Sequence, residues 1–250
     1  MPSWAFGRLF SLLLAVSLPA CLDFDQYGEG GGAGGESAGG APAGGSGGGV
    51  NPPTCPSDPV VPAAVCITGA PYDFNGDTAA DWALVGTGQI AYCGSTCANL
   101  TINQGRLDVR SRDTAVVSEC FASIDVVSSD ARRVFLELAP DGEIGTGTVP
   151  LPDLANNIEI GVEDNSVRFE VGATALPALV LDEGVTVDQL RIQVRADTVV
   201  LEAFSGGQQV ACSEQERPDL LLSAQMRAGF GIAGSQNQQA QFDNYGGLAD

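Results

Sequence analysis

The chain has 250 residues, and 11 basic against 31 acidic residues give a formal net charge of −20 at pH 7. All the basic residues are arginines, because the sequence contains no lysine and no histidine. These absences exclude a Ser-His-Asp triad, a Cys-His pair, an imidazole metal site, a Schiff base and a P-loop. The net charge argues against nucleic acid as a partner, because phosphates are met by clustered Lys or Arg.

Residues 1–20 have the layout of a secretory signal peptide. Arg8 is the only charge before residue 23, and the apolar run 9–18 is shorter than the ~20 apolar residues that span a bilayer. The next residues are Pro19-Ala20-Cys21, and a cysteine directly after a small residue resembles the lipobox of bacterial lipoproteins. This resemblance implies cleavage before Cys21, followed by acylation of its thiol and its new amine with chains such as palmitate. The alternative is an ordinary secreted protein in which Cys21 joins a disulfide.

Residues 21–54 are predicted to tether the lipidated cysteine to a folded domain. Between residues 28 and 49, 13 of 22 positions are glycine, which leaves too little apolar surface to offset chain entropy. A flexible segment of this length has a root-mean-square reach of roughly 30 Å. Leu22 rather than Asp follows Cys21. By the sorting rule of such lipoproteins this implies the outer membrane, on either its periplasmic or its extracellular face.

Residues 55–250 are predicted to form one all-β domain. Several segments alternate apolar and polar residues, as expected of strands with one buried face and one exposed face: 106–110, 134–138, 158–160, 167–171 and 190–195. Further segments suit a hairpin (198–204 with 208–212), a long central strand (115–127), two closing strands (228–233 and 239–245) and one weak helix (218–227). The pattern indicates an antiparallel β-sandwich.

Five short motifs resemble the concanavalin A-like, laminin-G-like jelly rolls of bacterial extracellular proteins. They are Tyr72-Asp-Phe-Asn-Gly76, Trp82-Ala-Leu-Val-Gly86, Gly105-Arg-Leu-Asp-Val109, Gly229-Phe-Gly-Ile232 and Gln241-Phe-Asp-Asn-Tyr245. The resemblance spans about residues 72–248 and implies two antiparallel sheets, with both chain ends on one sheet. This group includes carbohydrate-binding modules, adhesion domains and glycosidases, so the fold does not select a function.

The number of cysteines is even once Cys21 is set aside. The six others are Cys55, Cys66, Cys93, Cys97, Cys120 and Cys212. In an exported protein this predicts three disulfides. Proximity in the sequence favours Cys55–Cys66 and Cys93–Cys97, which leaves Cys120–Cys212. Zinc binding by Cys93 and Cys97 is an alternative, but a second close pair is missing and the compartment is oxidising.

A structural calcium ion is suggested by Asp73, Asn75, Asp77 and Asp81. Oxygen ligands at positions 1, 3, 5 and 9 of a tight turn resemble the calcium loops of integrin-type propellers. The jelly-roll resemblance implies a second arrangement, in which Asp73 and Asp243 of the opening and closing strands share an ion. The alternative is ordinary turn chemistry on an acidic surface, with no cofactor.

Glu159-Ile-Gly-Val-Glu163 places two carboxylates on one face of a strand. Retaining glycosidases with this type of jelly roll carry Glu-x-Asp-x-Glu at such a position. Gly161 replaces the central Asp, so we expect a solvent-facing row of side chains rather than a catalytic pair.

Aromatic residues are few after the signal peptide. Trp82 is predicted to lie in the core, Tyr92 lies in an expected loop and Tyr245 ends the closing strand. The set is small for a sugar site built on stacking. The arginines of Arg110-Ser-Arg112 and Arg132-Arg133 are expected to neutralise carboxylates. The acidic loops 140–157 and 172–188 are the expected place for any ligand.

Together these features predict an outer-membrane lipoprotein that displays a non-catalytic binding or structural jelly-roll module. Two alternatives remain: a carbohydrate-binding, lectin-like module and a glycoside hydrolase. The predicted partners are the membrane, through the lipid at Cys21, and either a glycan or an envelope protein. No catalytic residue is assigned.

Overall fold

The computed structural model describes residues 55, 64–66, 82–93, 97–141, 157–172, 174–219 and 225–246. These residues form 14 strands, with no helix that could cross a membrane within the described part. The strands are β1 (Trp82–Cys93), β2 (Cys97–Ser111), β3 (Ala115–Val116), β4 (Cys120–Ser129), β5 (Arg133–Pro140), β6 (Ile158–Glu163), β7 (Ser166–Val171), β8 (Thr174–Ala175), β9 (Leu179–Val180), β10 (Gln189–Val194), β11 (Thr198–Ser205), β12 (Gln208–Glu216), β13 (Gln225–Gly234) and β14 (Gln239–Asp243). The predicted signal peptide, tether and lipidated Cys21 lie outside the described residues.

The strands form one antiparallel sheet that curls into two facing halves. Its order is β12-β11-β10-β4-β14-β2-β13-β5-β6-β7-β8, with β1 beside β2, β3 beside β13 and β9 beside β7. The long strand β2 belongs to both halves, because Cys97–Thr101 pair with β14 and Gly105–Arg110 pair with β13. A β-bulge in β1 at Gly86 and Thr87 marks the bend. We call the half formed by β12, β11, β10, β4 and β14 sheet I. We call the half formed by β13, β5, β6, β7 and β8, with β3 and β9 beside them, sheet II.

The core lies between the two sheets. Strand β10 of sheet I packs against β5 and β6 of sheet II. Every second residue of the strands in both sheets points inward, as the period of two requires. Fully buried examples are Leu100, Ile124, Leu190 and Phe242 from sheet I and Leu136, Ile160 and Phe230 from sheet II. The alternating segments of the sequence are therefore strands, and the predicted antiparallel β-sandwich of the jelly-roll type is the fold.

Two predicted elements differ from the structure. Residues 115–127 are not one strand, because the chain leaves the sheet after Val116 and returns at Cys120 to begin β4. The predicted helix 218–227 does not include its last three residues, since Gln225–Arg227 open β13; residues 220–224 lie outside the described part of the chain. Met226 is fully buried and pairs with Ala115 and Pro140 on the flanking strands. Tertiary pairing thus overrides the weak local helix signal.

Two of the three disulfides among the described residues join segments that are far apart in the sequence. Cys93 pairs with Cys97, as predicted, but Cys55 pairs with Cys212 and Cys66 with Cys120. The predicted Cys55–Cys66 and Cys120–Cys212 bonds are therefore wrong. Val65 forms a parallel bridge with Phe121, which brings the Cα atoms of Cys66 and Cys120 to 4.7 Å.

Candidate functional site

Charged side chains occupy the face of sheet II that points away from the core. Arg106 lies at its centre: its Nε is 2.7 Å from Asp108 Oδ1, its Nη2 2.8 Å from Glu137 Oε2 and its Nη1 2.8 Å from Glu159 Oε2. Although this face is opposite the core, Arg106 is 9 % exposed and the three carboxylates are fully buried. One guanidinium therefore serves three carboxylates on three strands.

Two further arginines complete this ion-pair layer. Arg110 Nε lies 2.7 Å from Glu137 Oε1 and its Nη2 3.2 Å from Asp108 Oδ2. Arg133 Nη2 lies 2.5 Å from Glu159 Oε1 and 2.9 Å from Glu170 Oε1. The ion-pair layer is the set Arg106, Asp108, Arg110, Arg133, Glu137, Glu159 and Glu170. Its four carboxylates and three guanidinium groups leave one unit of negative charge in a desolvated place.

Gly229 leaves room for the ion-pair layer because it has no side chain. A Cβ at Gly229 would lie 2.9 Å from Glu137 Oε1 and 3.1 Å from Arg110 Cγ. Arg106 also stacks on Phe135, with its Cζ 3.8 Å from the ring centroid. The layer thus lies flat on glycine and an aromatic face, which gives it good packing as well as charge pairing.

Burial changes the proton affinity of this layer. Burial, together with the charge of Glu137, raises the pKa of Asp108 from 3.8 to about 7, against the lowering effect of Arg106 and Arg110. Burial likewise raises the pKa of Glu159 against the lowering effect of Arg106 and Arg133. The excess negative charge is therefore relieved by a proton near neutral pH.

The predicted solvent-facing row of Glu159 and Glu163 is wrong. Glu159 belongs to the ion-pair layer, and Glu163 is buried between Arg132 and Arg168, with Nε–Oε distances of 2.9 Å and 2.5 Å. At Gly161 a Cβ would lie 2.9 Å from Val134 O and 3.0 Å from Arg133 Nε, so the central Asp of the glycosidase pattern has no space. Both glutamates are engaged by arginines rather than arranged as a nucleophile and an acid.

The arginine predictions are largely confirmed. Arg110, Arg132 and Arg133 all contact carboxylates. Sequence reasoning missed Arg106, although Arg106-x-Asp108-x-Arg110 shows a charged face on a strand. That face was predicted to be exposed, because the alternation of a strand shows which side leaves the core and not whether that side is solvated.

The outward face of sheet I carries a second polar group, arranged as a row across five strands. In register, Asp243 lies beside Asp125, Asp125 beside Gln189, Gln189 beside Phe204 and Phe204 beside Gln209. Asp125 is half-buried and accepts hydrogen bonds from amides at both oxygens: Gln189 Nε2 donates at 2.8 Å and Asn244 Nδ2 at 2.8 Å. The carboxylate is thus held in place without an arginine.

A cleft of about 370 Å³ opens beside this row. We call it the Asp125 cleft; its lining is Asp125, Val126, Val127, Asp188, Gln189, Phe204 and Gly207. Asp188 is exposed and its Oδ2 accepts from the backbone N–H of Gly206 at 2.6 Å. The predicted binding loop 172–188 therefore does contribute to a cleft. Most of the other predicted loop, 140–157, lies outside the described residues.

The Asp125 cleft combines hydrogen-bonding groups with one aromatic flank. Phe204 is half-buried, and Arg191 lies over its ring with Cζ 4.4 Å from the centroid. Arg191 in turn is paired with Glu202, at 2.7 Å between Nε and Oε2. None of the lining residues is basic. Carboxylate and amide oxygens and amide N–H groups suit a ligand rich in hydroxyl groups.

The aromatic side chains behave largely as predicted. Trp82 is buried and packs edge-on to Phe230 and Tyr245, with centroid distances of 5.4 Å and 5.1 Å. Tyr245 is fully buried, and burial raises the pKa of its hydroxyl. Tyr92 is half-buried against the core rather than exposed. In the described part of the chain the exposed large hydrophobic residues are aliphatic: Leu84, Val116, Val127 and Val180.

The calcium predictions stay open. Asp73, Asn75, Asp77 and Asp81 lie outside the described residues. Asp243 is described, and its Oδ1 accepts from the backbone N–H of Asn244 at 2.8 Å. Among the described residues no group of three or more His, Cys, Asp or Glu is placed to hold a metal ion. An ion at Asp243 therefore remains a prediction.

No family model matches the sequence, and no curated protein is significantly similar to it. Solved structures with a similar fold include the Ca²⁺-bound exoplasmic/lumenal domain of VIP36, with 11% identity, a TM-score of 0.49 and coverage of 72% of this chain and 90% of that one. Carbohydrate-binding module CBM66 from Bacillus subtilis has 15% identity, a TM-score of 0.42 and coverage of 66% and 93%. Metal-free lectin I-B4 from Griffonia simplicifolia has 10% identity, a TM-score of 0.47 and coverage of 69% and 94%.

Proposed function

We propose that the chain is a non-catalytic, glycan-binding module carried by an outer-membrane lipoprotein. The observation that supports this most directly is the Asp125 cleft. It is open to solvent, and its polar groups are held in fixed orientations by the hydrogen bonds to Asp125 and Asp188. Preorganised polar groups bind hydroxyls at a lower entropic cost than mobile ones, because less side-chain freedom is lost on binding.

The charge of the cleft narrows the ligand class. Asp125 and Asp188 are acidic, and the lining contains no basic residue. An anionic saccharide would bring like charges together in a partly desolvated place, which is unfavourable. We therefore expect neutral glycans to bind, and uronic-acid, sulfated or phosphorylated ones to be rejected.

Anchoring belongs to the same proposal. Lipidation of Cys21 followed by a glycine-rich tether would display the module clear of the membrane surface. The change Cys21→Ser should abolish acyl labelling and release the protein from the membrane fraction. A variant that remains labelled and membrane-bound contradicts the anchor.

The binding test uses the full chain carrying Cys21→Ser, applied to a panel of neutral and anionic glycans and cell-wall polymers. One series contains millimolar calcium and the other a chelator. We expect saturable binding of a neutral glycan that falls at least tenfold with Asp188→Asn and is unchanged by Asp182→Asn, an exposed acid of the same loop that does not line the cleft. Binding lost in the chelator would add calcium to the proposal.

A glycosidase is the second candidate, and the arginine partners of Glu159 and Glu163 argue against it. We expect the unchanged protein to hydrolyse no member of this panel faster than the Glu163→Gln variant does. Hydrolysis that is lost in the Glu163→Gln variant would identify the module as a glycosidase rather than a non-catalytic binding module. Absence of both binding and hydrolysis across the panel would favour an envelope protein as the partner.

A further inference from the structure

A second cleft, of about 320 Å³, adjoins the Asp125 cleft. It opens at the end of the sandwich, where the turns after β4 and β6 meet the loop before β10. We call it the valine cleft, after the valines of its lining, which are Val126, Val127, Val134, Val162, Val185 and Val187. Its remaining lining residues are the apolar Ala131 and Leu181 and the polar Ser128, Ser129, Arg132, Asp164, Asn165 and Thr186. An apolar floor with a polar rim suits the burial of an aliphatic group.

The two clefts share part of their walls. Val126 and Val127 line both, and the backbone N–H of Val126 donates to Asp188 O at 2.8 Å, which joins the two lining segments. Val127 is 54% exposed, one of the four exposed large hydrophobic residues of the described chain. A ligand that lay over Val127 would therefore contact the polar groups of one cleft and the valines of the other.

We propose that the ligand of this site is an uncharged glycoside with an apolar substituent. This rests on the proposed glycan-binding function and specifies the ligand class. The sugar ring occupies the Asp125 cleft, and the substituent crosses Val127 into the valine cleft. Each methylene group buried there should raise the affinity by about fourfold, since its transfer from water is favourable by ~0.8 kcal/mol. The acidic lining disfavours a substituted glycan whose head group is anionic.

The test compares methyl and octyl glycosides of the same sugars, namely glucose, galactose and mannose. The protein is the full chain carrying Cys21→Ser, and the octyl compounds are kept below the concentration at which micelles form. We expect at least one octyl glycoside to bind ten times or more tightly than its methyl partner. An uncharged octyl compound without a sugar, such as octanol, should bind at least tenfold more weakly than that octyl glycoside.

Two valines provide matched variants. Val127→Ser should remove most of the octyl advantage, measured as the ratio of octyl to methyl glycoside affinity; because Val127 lines both clefts, any change in the affinity for the sugar itself cancels in this ratio. Val116→Ser is the control, because Val116 is similarly exposed, at 47%, and lines neither cleft. Both side chains are exposed at the surface, so neither change should affect folding, and the melting temperature checks this.

The outcomes separate the two proposals. Equal affinities for methyl and octyl partners, with binding still lost in Asp188→Asn, would overturn the amphipathic ligand and keep the glycan site. Octanol binding as tightly as the octyl glycosides would also overturn it, since the sugar would then contribute nothing. If neither the methyl nor the octyl series binds and the glycan panel is negative, both proposals fail.

Discussion

The outward faces of the two sheets carry charges in the same alternating pattern and use them differently. On sheet II, Arg106 binds Asp108, Glu137 and Glu159, and the group is buried. On sheet I, Asp125 is held by the amides of Gln189 and Asn244 and faces an open cleft. Because buried charges must be paired, the charged groups on the outward face of sheet II bind one another. The polar groups that line the Asp125 cleft on sheet I remain accessible to a ligand.

The largest expected effect is on the stability of the ion-pair layer. Arg106→Ala should lower the free energy of unfolding by about 3–5 kcal/mol, because it leaves three buried carboxylates without their shared partner. Arg132→Ala on the rim, where the arginine side chain is 65% exposed, should cost less than about 1 kcal/mol. Chemical denaturation measures both. Similar losses for the two variants would mean that the layer is solvated.

A smaller effect is expected from filling the space beneath the layer. In Gly231→Ala the new Cβ would lie 2.2 Å from Leu107 O and 2.5 Å from Phe135 Cζ. Overpacking of this kind costs about 1–3 kcal/mol. Gly184→Asn separates crowding from backbone strain: no atom lies within 4 Å of its Cβ position, so any cost there comes from its φ of +87° alone. A melting temperature of Gly231→Ala equal to that of the parent would contradict the tight packing.

The pH dependence of stability distinguishes the faces further. Burial raises the pKa of Asp108 from 3.8 to about 7, so between these values the folded chain binds more protons than the unfolded chain. This contribution to stability is full below about pH 4 and is lost as the pH rises through 7, with a slope of at most about 1.4 kcal/mol per pH unit. Asp108→Asn should flatten that slope in denaturation curves between pH 5 and 8. An unchanged slope would assign the titration to another group.

The smallest effect on stability is expected on sheet I. Asp188→Asn should change the free energy of unfolding by less than about 0.5 kcal/mol, because Asp188 is exposed. The same change should weaken glycan binding at least tenfold. A large loss of stability would show that Asp188 holds the β11–β12 turn rather than a ligand. Denaturation and binding titrations on one preparation compare the two roles directly.

The fold was more predictable from the sequence than the site. Residues 106–110 and 167–171 alternate so strictly that their strands follow from pattern alone, and Trp82 is in the core as predicted. Asp188 falls within a loop that the sequence marked for binding. Asp125 was not predicted as a site residue, because its neighbours Val126 and Val127 placed it in a segment interpreted as an apolar strand.

By itself the sequence determined the β class, the alternation of faces and the absence of lysine and histidine chemistry, because these depend on composition and short periods. Only the tertiary structure decided which cysteines pair and which outward face is closed. Cys55 and Cys212 are 157 residues apart, and Arg106 meets Glu137 and Glu159 at separations of 31 and 53 residues. Partners at such distances are brought together by strand order and register, and no local pattern contains them.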